Sequence, residues 1–138
     1  MKRLRGFAIV SAIFILVVLA ALGAFILNIS ASQQIGSALD VQGVRAYQAA
    51  RAGIEWGLYR QLQDGSCAAT TSFVPAGATL AGFTVTVECT ATADPGGFGG
   101  PTIYSIAATA CSQPNAGACP NVANPGPLYI ERRLTVTF

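Results

Sequence analysis

Residues 7–27 read FAIVSAIFILVVLAALGAFIL, an unbroken run of 21 residues in which Ser11 is the only polar side chain. As a helix rising ~1.5 Å per residue, this run covers ~31 Å, about the hydrocarbon thickness of a bilayer. Lys2, Arg3 and Arg5 precede it, and no positive charge follows until Arg45. The positive-inside rule therefore places the N-terminus in the cytoplasm and the remainder on the far side of a single membrane crossing. Three kinds of segment have this form. A secretory signal peptide carries a shorter apolar region, about 7–15 residues, ending at an A-x-A-like site; Ile29-Ser30-Ala31 matches that site poorly. A plain single-pass anchor would keep every residue. A leader cut on the cytoplasmic side would lose residues 1–6 and keep the apolar helix.

The apolar excess is concentrated in this segment. Over the 138 residues 52% are hydrophobic and 10% charged, against about a quarter charged in an ordinary soluble domain. The formal net charge is +2, but without residues 1–6 five basic residues face six acidic ones. The exported part then has no basic field, and nucleic acid is not an expected partner. Histidine is absent, which removes the commonest general base and the commonest metal ligand. The acidic residues Asp40, Glu55, Asp64, Glu88, Asp94 and Glu131 are dispersed along the chain. No catalytic residue, metal site or cofactor is expected.

Cys67, Cys89, Cys111 and Cys119 all follow the apolar run. An even count beyond a membrane signal suggests two disulfides in an oxidising compartment, and paired C-x2-4-C zinc knuckles are missing. Four cysteines allow three connectivities. The expected one is Cys67–Cys89, tying a helix end to a strand, with Cys111–Cys119 closing a short loop.

Helical patterning continues past Asn28. Val44, Tyr47, Ile54, Leu58 and Leu62 stand at spacings of 3, 7, 4 and 4, one face of an amphipathic helix. The helix is thus expected over Phe7–Leu62, stopping at Asp64-Gly65-Ser66, with Val44 to Leu62 packed on a sheet. Gly23, Gly36, Gly43, Gly53 and Gly57 are expected to weaken it locally. Around Gly36 the chain would either loosen or stay a slightly irregular helix. Three strands are expected: Phe83–Cys89, Thr102–Cys111 and Leu128–Phe138, the last with a bulge near Glu131-Arg132 or with Arg132 at the rim. Turn formers punctuate the connections at 94–101 and 112–127, which are exposed loops available for a partner or surface ligand. The organisation is then residues 1–6 as leader, 7–27 as transmembrane helix, 28–64 as its periplasmic continuation and 65–138 as a disulfide-bonded antiparallel β domain. The fold class is α+β, a three- or four-stranded sheet on the second half of a long helix.

Met1-Lys2-Arg3-Leu4-Arg5-Gly6 followed by Phe7 resembles the leader and cleavage junction of the type IV pilin-like (prepilin) family, which includes type II secretion pseudopilins. The stretch Arg45-Ala46-Tyr47…Ala49-Ala50-Arg51-Ala52-Gly53-Ile54-Glu55 is similar to the minor-pilin and prepilin-like proteins of the mannose-sensitive haemagglutinin (MSHA) biogenesis group. The resemblance implies cleavage between Gly6 and Phe7 by a prepilin peptidase and N-methylation of Phe7. It implies storage in the inner membrane, with membrane lipid, an inner-membrane assembly platform and other pilin subunits as partners, and a place on a surface pilus after assembly. It also implies a glutamate at the fifth position after the cut. Ser11 stands there instead, as in minor subunits, whose helix has no subunit above to engage. The alternatives are a type II secretion pseudopilin and, in another class, a membrane-anchored periplasmic binding module.

Overall fold

The computed structural model describes residues 5–93 and 100–138, with side-chain surroundings from residue 8 onward. One helix, α1 (Arg5–Asp64), is followed by four strands: β1 (Thr71–Phe73), β2 (Thr84–Thr92), β3 (Ile103–Cys111) and β4 (Glu131–Thr137). The chain divides into two units, Met1–Ala38 and Leu39–Phe138, with α1 contributing to both.

Within Leu39–Phe138 the strands form one antiparallel sheet in the order β1-β2-β3-β4. Alternation puts Val85, Val87 and Cys89 of β2 on the same face as Ile106, Ala108 and Ala110 of β3, because Val85 pairs with Ala110, Val87 with Ala108 and Cys89 with Ile106. These six are buried together with Phe83 and with Ala46, Ala49 and Ala50 of α1. The chain is α+β, with a helix covering one face of a small four-stranded sheet. α1 ends where Gly65 takes a left-handed conformation, φ 60°, which costs a glycine little. Beyond it the Ser66 amide donates to the Arg60 carbonyl at 3.0 Å.

The helix face is the main departure from the sequence pattern. Ile54 and Leu58 pack against the core as expected, but Val44, Tyr47 and Leu62 do not pack on the sheet; they are 56%, 44% and 67% exposed. The fully buried residues of the helix are Gly43, Ala46, Ala49, Ala50, Gly53 and Gly57. A Cβ built on Gly53 would lie 2.6 Å from Val85 Cγ1 and 2.9 Å from Ala108 Cβ, and one on Gly57 would lie 2.8 Å from Ile106 Cγ2. The sheet supplies the large side chains and the helix supplies the space. Gly53 and Gly57, two of the glycines expected to weaken the helix, are what let it approach. Their propensity cost, roughly 1 kcal/mol each against alanine, is offset by burial of valine and isoleucine at about 25 cal/mol per Å².

Smaller departures have local causes. β1 was not expected, since three residues carry too short an alternation to register. β2 begins after Phe83 and runs on to Thr92. β4 begins at Glu131, not Leu128, because Tyr129 N donates to the Gly126 carbonyl at 3.0 Å and folds 126–129 into a turn. Pairing from Cys111↔Glu131 to Ser105↔Thr137 is continuous, so no bulge is present and Arg132 lies at the rim, on the edge strand. α1 is helical throughout 28–43, without a break at Gly36.

Candidate functional site

Two regions answer to the residues singled out by sequence. The first is the apolar half of α1. It is the one helix among the described residues long and apolar enough to cross a membrane, and none of its most apolar window is buried. Phe14, Leu16, Phe25 and Leu27 are each well over half exposed. A helix apolar on every face has the length and composition of a segment that could span a membrane. Ser11 is half-buried and lies on the helix surface beside Val10, Phe14 and Ile15. Asn28, the first polar residue after the run, returns its Nδ2 to the Ala24 carbonyl at 3.3 Å, so the polar boundary is satisfied within the helix itself. Gly6 and Phe7 belong to the helix. Leader residues 1–4 lie outside the described residues, as do the side-chain surroundings of 5–7, and with them the expectations of cleavage at Gly6–Phe7 and methylation of Phe7.

The second region is the connection between β3 and β4. Cys111 is bonded to Cys119 and Cys67 to Cys89. The Cys111–Cys119 bond folds the connection over the outer face of the sheet. There the Cys119 amide donates to Thr86 Oγ1 at 2.7 Å, and Thr86 Oγ1 shares a 2.9 Å hydrogen bond with Ser72 Oγ. Thr86 and Thr109 are buried under this cover. Further out, Asn121 Nδ2 donates to the Gln113 carbonyl at 3.0 Å, the Gly126 amide to Gln113 Oε1 at 2.9 Å and the Asn121 amide to the Tyr129 hydroxyl at 2.9 Å. The connection is therefore held by named side chains rather than left as open loop, and it displays Val122 and Leu128 outward. The other connection singled out, 94–101, falls largely outside the described residues.

The Tyr129 hydroxyl donates to Glu131 Oε2 at 2.6 Å. Burial pushes the Tyr129 pKa up from its ordinary 10.0, and the Glu131 carboxylate adds to this by bonding the protonated form and repelling the phenolate; the Asn121 amide acts in the opposite sense. A raised folded-state pKa favours the protonated native state, so this contribution to stability is present below pH 10 and is lost as pH rises through the folded value. Ultraviolet titration at the phenolate band is expected to find Tyr129 ionising above 10.0, with Tyr129→Phe removing that late step. A Tyr129 step at or below 10.0 would refute the assignment.

Among the described residues no group of three histidine, cysteine or carboxylate side chains is placed to hold a metal ion. A cleft of about 120 Å³ at the end of α1 is lined by Trp56, Arg60, Ser66, Thr71 and Cys89 among others. Arg60 is already paired with Asp64 at 2.7 Å, and the cleft holds no nucleophile beside a base. The chemistry on display is that of surfaces: an apolar helix and a pinned connection. No known family, no curated protein and no solved structure matches this chain.

Proposed function

We propose that the chain is a non-enzymatic minor pilin or prepilin-like assembly factor of a type IV, MSHA-type pilus, resembling the MSHA biogenesis protein MshP. One observation carries the proposal. A short basic leader ending in Gly6-Phe7 adjoins an apolar helix that is bare on every face and runs unbroken into the helix that packs the sheet. Such a helix has two media in which it is stable, a bilayer and a bundle of like helices. A peptidase cutting before Phe7 would leave it intact for both. In this scheme a cytoplasmic N-terminus and a periplasmic sheet follow from the charge asymmetry, and the two disulfides suit the periplasm. Ser11 cannot form the charge pair that a glutamate would make with a neighbouring N-terminal amine, which favours a minor subunit packed into or priming the fibre over the main fibre subunit.

The test is intact-mass and N-terminal analysis of the protein from cells containing a prepilin peptidase. The expected product begins at a methylated Phe7, and Gly6→Glu or Gly6→Leu abolishes processing. Retention of Met1, or a cut near Ala31, would remove the proposal in favour of an anchored binding module or a secreted protein. Where processing occurs, deletion of the protein is expected to change pilus number, length or adhesion. A defect in enzyme export instead would favour a type II secretion pseudopilin.

A further inference from the structure

The sheet has two edges, and they differ. β1 is three residues long, while β4 is seven. Tyr104 and Phe138 exchange both of their backbone hydrogen bonds, and the Ser112 amide donates to the Ile130 carbonyl. In an antiparallel ladder hydrogen-bonded pairs alternate. Arg132, Leu134 and Val136 therefore spend their backbone groups on β3, and Glu131, Arg133, Thr135 and Thr137 aim theirs at the open side. Among the described residues no strand pairs with that side. A row of this kind is a template for another strand, and inward-pointing charge is one of the devices that blunt it.

Arg132 is placed as such a device. It is on the helix-facing side of β4, in the series Arg132, Leu134, Val136, opposite the buried Ala110. Parity there calls for an apolar residue. Its guanidinium lies over the helix backbone at Gly43, where a Cβ would come within 3.0 Å of Nη2. Its Nη1 donates to the Glu131 carbonyl at 3.0 Å, and among the described residues no carboxylate pairs with it. The neighbouring Arg133 points to the opposite face, paired with Glu88 at 3.2 Å. The edge thus carries a cation on each face, and the unpaired one stands over the helix.

We infer that Arg132 guards the β4 edge, holding an unpaired charge where a second copy of this chain would have to add its strand. An incoming strand would strip water from the guanidinium without offering it an anion, since the helix-facing side of a second copy's β4 carries Arg132, Leu134 and Val136, with Glu131 on the other face. The partner excluded is a second copy of this chain.

The test uses the full chain in detergent micelles, comparing Arg132→Met with Arg132→Lys and Arg132→Glu. Methionine keeps the stem that covers Ala110 and removes the charge; lysine and glutamate keep a charge of either sign. Arg132→Met is expected to raise the self-association constant at least ~tenfold, seen as detergent-corrected mass rising with concentration. Its Glu131, Arg133, Thr135 and Thr137 amides gain hydrogen-exchange protection over the same range. Arg132→Lys and Arg132→Glu are expected to match the parent. If Arg132→Met proves unfolded, shown by loss of protection across β2 and β3, Arg132→Gln takes its place with the same expectation. A neutral variant with the parent's mass and edge exchange would show Arg132 to be a packing clamp alone, and association of Arg132→Lys would overturn the role of charge.

Discussion

Gly53→Leu is expected to cost the Leu39–Phe138 unit about 3 kcal/mol or more, most of the margin of a small unit near ~5 kcal/mol, and to lower its melting temperature sharply. The reason lies in what a side chain would meet. Even the first carbon would lie 2.6 Å from Val85 Cγ1, 2.9 Å from Ala108 Cβ and 3.2 Å from Val87 Cγ2. Val85 can turn about χ1, but Ala108 Cβ is fixed to the backbone of a central strand, so the helix itself must lift. Lifting it exposes Val85, Val87 and Ile106, which are now buried. Gly53→Ala is expected to be milder, about 1–2 kcal/mol destabilising, because the helix-propensity gain of roughly 1 kcal/mol offsets part of the clash. Gly36→Ala is the control. No atom lies within 4 Å of its Cβ position, so the same exchange raises helicity without lowering the melting temperature of the sheet. Thermal melts followed by circular dichroism and by Trp56 fluorescence read both effects. Equal melting of Gly53→Leu and the parent would mean that the helix does not pack through its glycine face.

That face explains what could and could not be seen in the sequence. The apolar run at 7–27, the stop at Gly65 and the alternation from Phe83 to Cys89 are local signals, and the structure carries each where the residues place it. The packing face of α1 was only partly placed, with Ile54 and Leu58 against the core and Val44, Tyr47 and Leu62 exposed, because hydrophobic periodicity weighs large side chains. Close packing on a sheet whose own residues are Val85, Val87 and Ile106 selects the absence of a side chain. Gly43, Ala46, Ala50, Gly53 and Gly57 stand at spacings of 3, 4, 3 and 4, a helical stripe of small residues that was open to inspection. Judged one at a time, its glycines look like defects. The tie from Thr86 to Cys119 left no trace of this kind, since it joins residues 33 apart through an amide and a hydroxyl with no pattern around them. Arg132 was visible as a parity violation, and its place on an edge strand is the physical reason a cation is tolerated there.

Reduction of both disulfides is the second change expected to unfold the Leu39–Phe138 unit. Cys67–Cys89 closes a separation of 22 residues and Cys111–Cys119 one of 8. Loop-closure entropy assigns them about 3.4 and 2.5 kcal/mol respectively, against a total stability of about 5–15 kcal/mol for a domain. A small unit whose helix contributes alanines and glycines to the core sits toward the low end of that range. The two bonds also differ in kind. Cys67–Cys89 joins the exit of α1 to the centre of β2, where the Cys89 amide also reaches the Ala68 carbonyl at 3.3 Å. Its loss frees the helix from the sheet, so Cys67→Ser/Cys89→Ser should lower the urea midpoint more than loop length alone requires. Cys111 and Cys119 are both buried; Cys111→Ser/Cys119→Ser forfeits less chain entropy but lifts the cover from the buried Thr86 and Thr109 and takes the Cys119 amide from the Thr86 hydroxyl. It should therefore cost more than its short loop suggests, about 2–4 kcal/mol. Urea titration with and without reductant separates these contributions. The oxidised protein should unfold in a single transition, each double variant at lower urea, and the fully reduced protein with no folded baseline at 37 °C. A reduced protein that kept the oxidised midpoint would mean that the glycine-face packing holds the unit alone, and the bonds would then be ornaments of the compartment and not a condition of the fold.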